Sequence, residues 1–206
     1  MSTRKQQILA AAMALADEHG LASVTMRAVA DRVGVTPMAL YGHVKDKEGL
    51  LDAMLGSLLA ELSLPATDNP WPDRLRQLAQ GARQLAQRHP GAFGLIFSRP
   101  ATTPDAVQVV DVIYLALIDA GVPLAEVPRV ERLVSTVVLG YAVSEANGRF
   151  RGNASVPRRL RGHLPDGELA GHRTLGQWLA QPVDWEAEFE ADLVDLLRLI
   201  KSVGQT

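Results

Sequence analysis

Apolar residues along this chain recur at intervals of three and four, and no stretch alternates with period two over a useful length. That spacing gathers them on one side of a 3.6-residue helix, so the pattern predicts an all-α protein. From Arg4 to His19 the positions Ile8, Ala12, Leu15 and Ala16 share a face, with Ser2 or Thr3 to cap the start and Gly20 to stop it. Thr25 precedes a two-turn segment, 26–33, in which Val29 and Val33 lie four apart and Gly34 ends the pattern. Thr36 is placed to cap a very short third helix that opens on Pro37, where the missing N–H does no harm. Within it Leu40 and Val44 share the inner side, Met38, Ala39, Gly42 and His43 face elsewhere, and Tyr41 flanks them. Asp46 caps a fourth helix that the pattern carries to Leu62.

The breaker cluster Leu64–Pro72 marks a boundary, which divides the chain into a three-helix unit at 1–47, a connecting helix at 48–63 and a helical domain at 71–206. Helical patterns follow at 73–89, 91–97, 104–120, 126–148 and 185–203. Residues 149–176 differ: five glycines, two prolines and six arginines with little periodicity predict a mobile loop with room for one short helix.

Composition narrows the function classes. With 47% hydrophobic and 21% charged residues the 206-residue chain is an ordinary globular balance. There is no cysteine, and the five histidines never reach the spacing of a helical ligand pair, so neither a thiolate metal site nor any metal or cofactor is expected. No apolar run approaches the ~20 residues of a membrane span, and no signal peptide opens the chain, so a soluble cytoplasmic protein without membrane contact is expected. The net charge of -2 gives no support to nucleic-acid binding, and residues 1–50 carry six Lys/Arg against five Asp/Glu. Any DNA footprint must therefore come from the placement of a few cations.

Three short helices with a glycine turn before the third are what a helix-turn-helix needs. The string from Val24 to Met54 adds specificity: Leu40, Tyr41, His43, Val44, Lys47 and Leu50 follow the turn in a pattern that resembles the signature of the TetR family of transcriptional regulators. The resemblance implies phosphate contacts at Tyr41, His43 and Lys47, with Lys47 and backbone N–H groups forming an anion site at the start of helix four. Thr25 and Thr36 serve as caps, phosphate donors, or both. Base reading falls to Arg27, which can bond guanine bidentately, and to Pro37, Met38 and Ala39 against thymine methyls, with Gly42 beside them. Core packing is the alternative for Met38, and Leu40 and Val44 are assigned to the core.

Downstream, GAFGLIFSRP at 91–100 resembles the tetracycline-repressor branch of that family, as does GVPL at 121–124 with Leu139-Gly140 beyond it. In that branch a histidine ligates the magnesium of the bound drug. The aligned position here is Leu95, and two other polar drug positions align with Ser63 and Leu78, which predicts a more apolar effector without metal. Candidate pocket residues are Leu78, Leu95, Ser98, Arg99, Ile113, Leu117, Thr136, Leu139 and Val143, each with core packing as its alternative. Arg99 stands apart, because a buried guanidinium needs a carboxylate from the protein or from the ligand. Apolar stripes at Val130, Val134, Val137 and Val138 and at Leu193, Leu196, Leu197 and Ile200 resemble the family's dimer helices, with an intramolecular core as the alternative.

The expectation is a homodimeric repressor of a palindromic DNA operator, released by a small-molecule effector. An enzyme is disfavoured because no nucleophile motif, phosphate-binding glycine loop or helical zinc motif occurs. A DNA-binding activator or architectural protein without an effector is the other alternative, separated from a sensor by whether residues 71–148 enclose a pocket.

Overall fold

A computed structural model describes residues 3–99, 103–150, 170–179 and 181–205. Among them are ten α-helices, one 3-10 turn at Leu21–Ser23 and no strand, as the periodicity predicts. The reader unit holds α1 (Arg4–His19), α2 (Met26–Val33) and α3 (Pro37–Tyr41), and α4 (Lys47–Leu59) leads away from it. The body holds α5 (Trp71–Arg88), α6 (Leu95–Ser98), α7 (Pro104–Asp119), α8 (Val127–Ala146), α9 (Ala170–Leu179) and α10 (Trp185–Gly204).

The start signals act as the sequence implies. Thr3, not Ser2, caps α1 through a capping box, its hydroxyl accepting from Gln6 N–H while the Gln6 side chain accepts from Thr3 N–H at 2.7 Å. Gly34 ends α2 at φ 76°, a left-handed conformation that lets the chain turn sharply into α3. Helix α4 is shorter than its apolar pattern, ending at Leu59 rather than Leu62. Tertiary contacts stop it: Glu61 turns toward Arg88 and His89 at the end of α5, and the Leu62 side chain packs over Gly81.

The short helix within the segment read as a loop is α9, which runs on to Leu179 and so makes residues 170–176 helical. Residues 151–169 of that segment lie outside the described residues. Just before them Phe150 stacks on Trp185 at 4.6 Å, and Tyr141 lies 4.8 Å from both Phe150 and Phe189. Arg83 of α5 completes this cluster, paired with Glu145 at 2.6 Å and Glu186 at 2.5 Å and lying over the Phe189 ring.

Two apolar cores result. One joins α1–α4 with Phe93 and Leu95, and the other joins α5, α7, α8 and α10 around Leu78, Leu117, Val130 and Phe189. Leu139 touches both. The second core corrects the expected dimer set: Val130, Val134, Val138, Leu193, Leu196 and Ile200 are all buried within their own subunit. Val137, 41% exposed, and half-buried Leu197 keep most of the free surface of that set. The widest apolar stripe of each helix faces α5 and its neighbours, because burying that stripe holds the single chain together.

Gly91 marks where the reader and the body meet. A Cβ at this position would stand 1.9 Å from the Ala16 carbonyl oxygen, so no other residue fits without displacing α1. The substitution Gly91→Ala is expected to lower stability by about 1–3 kcal/mol through overpacking, read as a lower urea midpoint. An unchanged midpoint would show that α1 does not press on Gly91.

Candidate DNA-reading surface and the links behind it

Caps and packing together decide which reader side chains face water. Thr25 Oγ1 accepts from Ala28 N–H at 3.1 Å and Thr36 Oγ1 from Ala39 N–H at 3.4 Å, so both threonines are caps. Behind them Val29, Ala30, Leu40 and Val44 are buried, which fixes the rotation of α2 and α3. The opposite sides are exposed: Thr25, Arg27, Thr36, Pro37, Met38, Ala39, Tyr41, Gly42, His43 and Lys47 all lie at the surface. Met38 is 78% exposed, which removes the core alternative for it. Arg27 is restrained only by a loose contact to Asp31 at 3.9 Å. On the far side of α2, Arg32 grips Glu18 of α1 at 2.6 and 2.5 Å, and its guanidinium holds the Glu18 carboxyl below the usual range.

The start of α4 is less open to anions than the sequence suggests. Asp46 Oδ1 accepts from Gly49 N–H at 2.8 Å, and Glu48 adds a second carboxylate to the first turn. Lys45 and Lys47 thus alternate with two acids. One of those acids is withdrawn by Arg99, which donates to Glu48 at 2.7 Å and to Asp52 at 2.6 Å. Asp52 first and Glu48 second raise the Arg99 pKa, holding its charge firmly. Its demand for a carboxylate is therefore met inside the protein, from 47 and 51 residues upstream, and it is not a ligand anchor in this conformation.

A second link lies eight to ten residues earlier. Asp17 near the end of α1 accepts from Gly91 and Ala92 N–H, both at 3.1 Å, through Oδ1. Its other oxygen lies 2.8 Å from His89 Nδ1, and His89 Nε2 lies 3.1 Å from Glu61. The stretch 89–99 is therefore fastened to α1 at one end and to α4 at the other. No local pattern around Asp17 signals this contact, because its partners lie more than 70 residues away.

The nine pocket candidates do not share one environment. Leu78, Ile113 and Leu117 are buried in the lower core and Leu95 in the upper one, while Leu139 and Val143 are partly buried beside it. Ser98 is exposed, its hydroxyl donating weakly to carbonyls of its own helix, and Thr136 is exposed on the outer side of α8. Those two assignments to the pocket are corrected, because helix rotation turns both side chains outward. Among the described residues no cluster of three or more His, Asp or Glu is arranged to hold a metal, and no helix is long and apolar enough to cross a membrane.

A helix-turn-helix with an exposed third helix, joined by α4 to a helical body, defines a DNA-binding regulator. The family model for bacterial regulatory proteins of the tetR family matches residues 8–54, and that for the tetracyclin repressor-like C-terminal domain matches residues 75–166. An HTH-type transcriptional regulator from Saccharopolyspora erythraea is 31% identical over 187 residues, 90% of this chain and 79% of that protein. ActR from Streptomyces coelicolor, solved in complex with actinorhodin, has the same fold, with a TM-score of 0.81 at 21% identity over 100% of both chains. BioQ, solved with its double-stranded DNA operator, gives a TM-score of 0.63 at 31% identity over 73% of this chain and 92% of that one. The chain belongs to the TetR family of DNA-binding transcriptional repressors.

Substituting Arg99→Leu is expected to free Glu48 beside Lys47 and to loosen α4 from the body. Operator affinity, measured by fluorescence anisotropy, should fall by roughly five- to thirtyfold, as for a disrupted coupling of about 1–2 kcal/mol. The double-mutant cycle with Asp52→Asn should show non-additivity. Additive effects would mean that the two side chains do not act together.

Proposed function

We propose that this chain represses transcription as a homodimer on a palindromic operator, and that a small, mainly apolar effector bound in the α5–α8 body releases it. The observation that carries the DNA-reading part is the division of α3: Leu40 is fully buried while Pro37, Met38, Ala39 and Tyr41 are exposed. A third helix so rotated presents apolar contacts to the major groove and no polar base reader of its own. Arg27, with a side chain 87% exposed, supplies the bidentate donor. Tyr41, His43 and Lys47 take phosphates, and Thr25 and Thr36 contribute while capping.

For the effector, the inward residues Leu78, Leu95, Ile113, Leu117, Leu139 and Val143 favour apolar chemistry. Leu139 packs against both cores and so lies between the two groups of these residues. Effector binding is linked to operator binding through the 89–99 stretch, since a ligand that moves it must act on α1 and α4 together. Dimerisation uses what the subunit core leaves free, the outer faces of α8 and α10, where Val137 and Leu199 are 41% and 42% exposed. Two readers then stand ~34–36 Å apart, as successive major grooves require.

Anisotropy with the DNA upstream of the gene tests the readers. Arg27→Ala should weaken binding by about 1–3 kcal/mol and relax preference at one base step, whereas Lys47→Ala should weaken all sequences alike and lower the salt slope by about 1. Equal behaviour of the two variants would contradict this division. Val137→Glu should give a folded monomer in sedimentation velocity with lost operator binding. A dimer that tolerates the buried charge would place the interface elsewhere.

A further inference from the structure

Between the first turn of α5, the end of α7 and the last turns of α10 lies an open groove of about 480 Å³. This volume falls in the range of small-molecule sites. Its floor is apolar, built by Trp71, Pro72, Val194 and Leu197. Its rim is cationic, with Arg76, Arg198 and Lys201, and no carboxylate lines it. Two of these cations are engaged: Arg76 faces Asp73 at 3.4 Å and Glu190 at 3.6 Å, and Arg198 faces Asp195 at 2.8 Å. Lys201 has no ion pair or hydrogen bond from its ammonium group among the described residues. None of the effector candidates named above lines this groove.

An apolar floor favours an alkyl or aryl group, because each buried CH₂ contributes about 0.8 kcal/mol. With Arg76 and Arg198 already facing carboxylates, the unpaired Lys201 ammonium adds a preference for a single negative charge. We propose that this groove is a second ligand site, which takes an amphipathic monoanion with its apolar part on Trp71 and Leu197 and its carboxylate at Lys201. The site lies at one end of α5, and α5 carries His89 just beyond its other end, about 27 Å away by helical rise. An occupant that pins α5 to α10 therefore acts on the helix that anchors the reader. The proposal does not depend on the effector reading, since the two sites share no residue.

Isothermal titration of the full chain with dodecanoate, kept below its micelle concentration, tests it. Dodecanoate should bind one per chain, and Lys201→Glu, a change at an exposed position, should weaken it at least about tenfold, equivalent to 1.4 kcal/mol. Lys201→Arg should keep affinity within about threefold, and dodecyltrimethylammonium should bind the wild type at least about tenfold more weakly than dodecanoate. Dodecanoate binding that ignores Lys201→Glu, or equal binding of the cationic amphiphile, overturns the proposal. A response to phosphatidylglycerol vesicles with none to monomeric dodecanoate overturns it too, since the groove would then serve a lipid surface.

Discussion

The carboxylate of Asp17 is the point on which the two halves of this protein meet. It accepts two backbone N–H groups from Gly91 and Ala92 and faces His89, while Gly91 brings its backbone against the Ala16 carbonyl. A carboxylate with its acceptors used in this way is hard to replace, because any shift of α1 leaves partly buried N–H groups without a partner. Gly91 makes the contact possible, since a side chain there would hold α1 off and break all three interactions. Ten residues downstream of His89, Arg99 clasps α4 through Glu48 and Asp52. A four-residue helix, α6, lies between these fastenings. The stretch 89–99 therefore holds both α1 and α4.

The near-neutral charge of the reader follows the same logic. A domain with almost as many acids as bases must position its cations against DNA while keeping its carboxylates occupied elsewhere. Glu18 is held by Arg32, Glu48 by Arg99, Asp17 by the body and Asp46 by the amide of Gly49. Arg27, by contrast, has only a loose intramolecular partner. The acids thus brace the reader internally, while Arg27, Lys45 and Lys47 stay exposed at its surface. This arrangement explains how a chain of net charge -2 can belong to a DNA-binding family.

Much of this was legible in the sequence, and the reasons are local. Thr3, Thr25, Thr36 and Asp46 cap helices because the bonds they make span three residues, and Gly34 ends α2 because the turn requires a left-handed backbone. The burial of Leu40 and Val44 follows from helical periodicity, and the string from Leu40 to Lys47 carries the family resemblance. Helical rotation was less secure further on. Ser98 and Thr136 face outward, and six residues expected between subunits lie within one. An apolar stripe shows that a helix buries a face, but it does not show which neighbour covers it.

The sequence by itself determined the all-helical class, the caps, the helix-turn-helix and the exposed residues of its third helix, since each depends on residues within a few turns of one another. Only the tertiary structure decided that α4 stops at Leu59, that Arg99 finds Glu48 and Asp52, that Asp17 receives the Gly91 turn, and that Trp71 and Lys201 border one groove. Those pairings join residues from 19 to 130 positions apart. Their geometry is set by how the helices cross, which no periodicity along a single helix encodes.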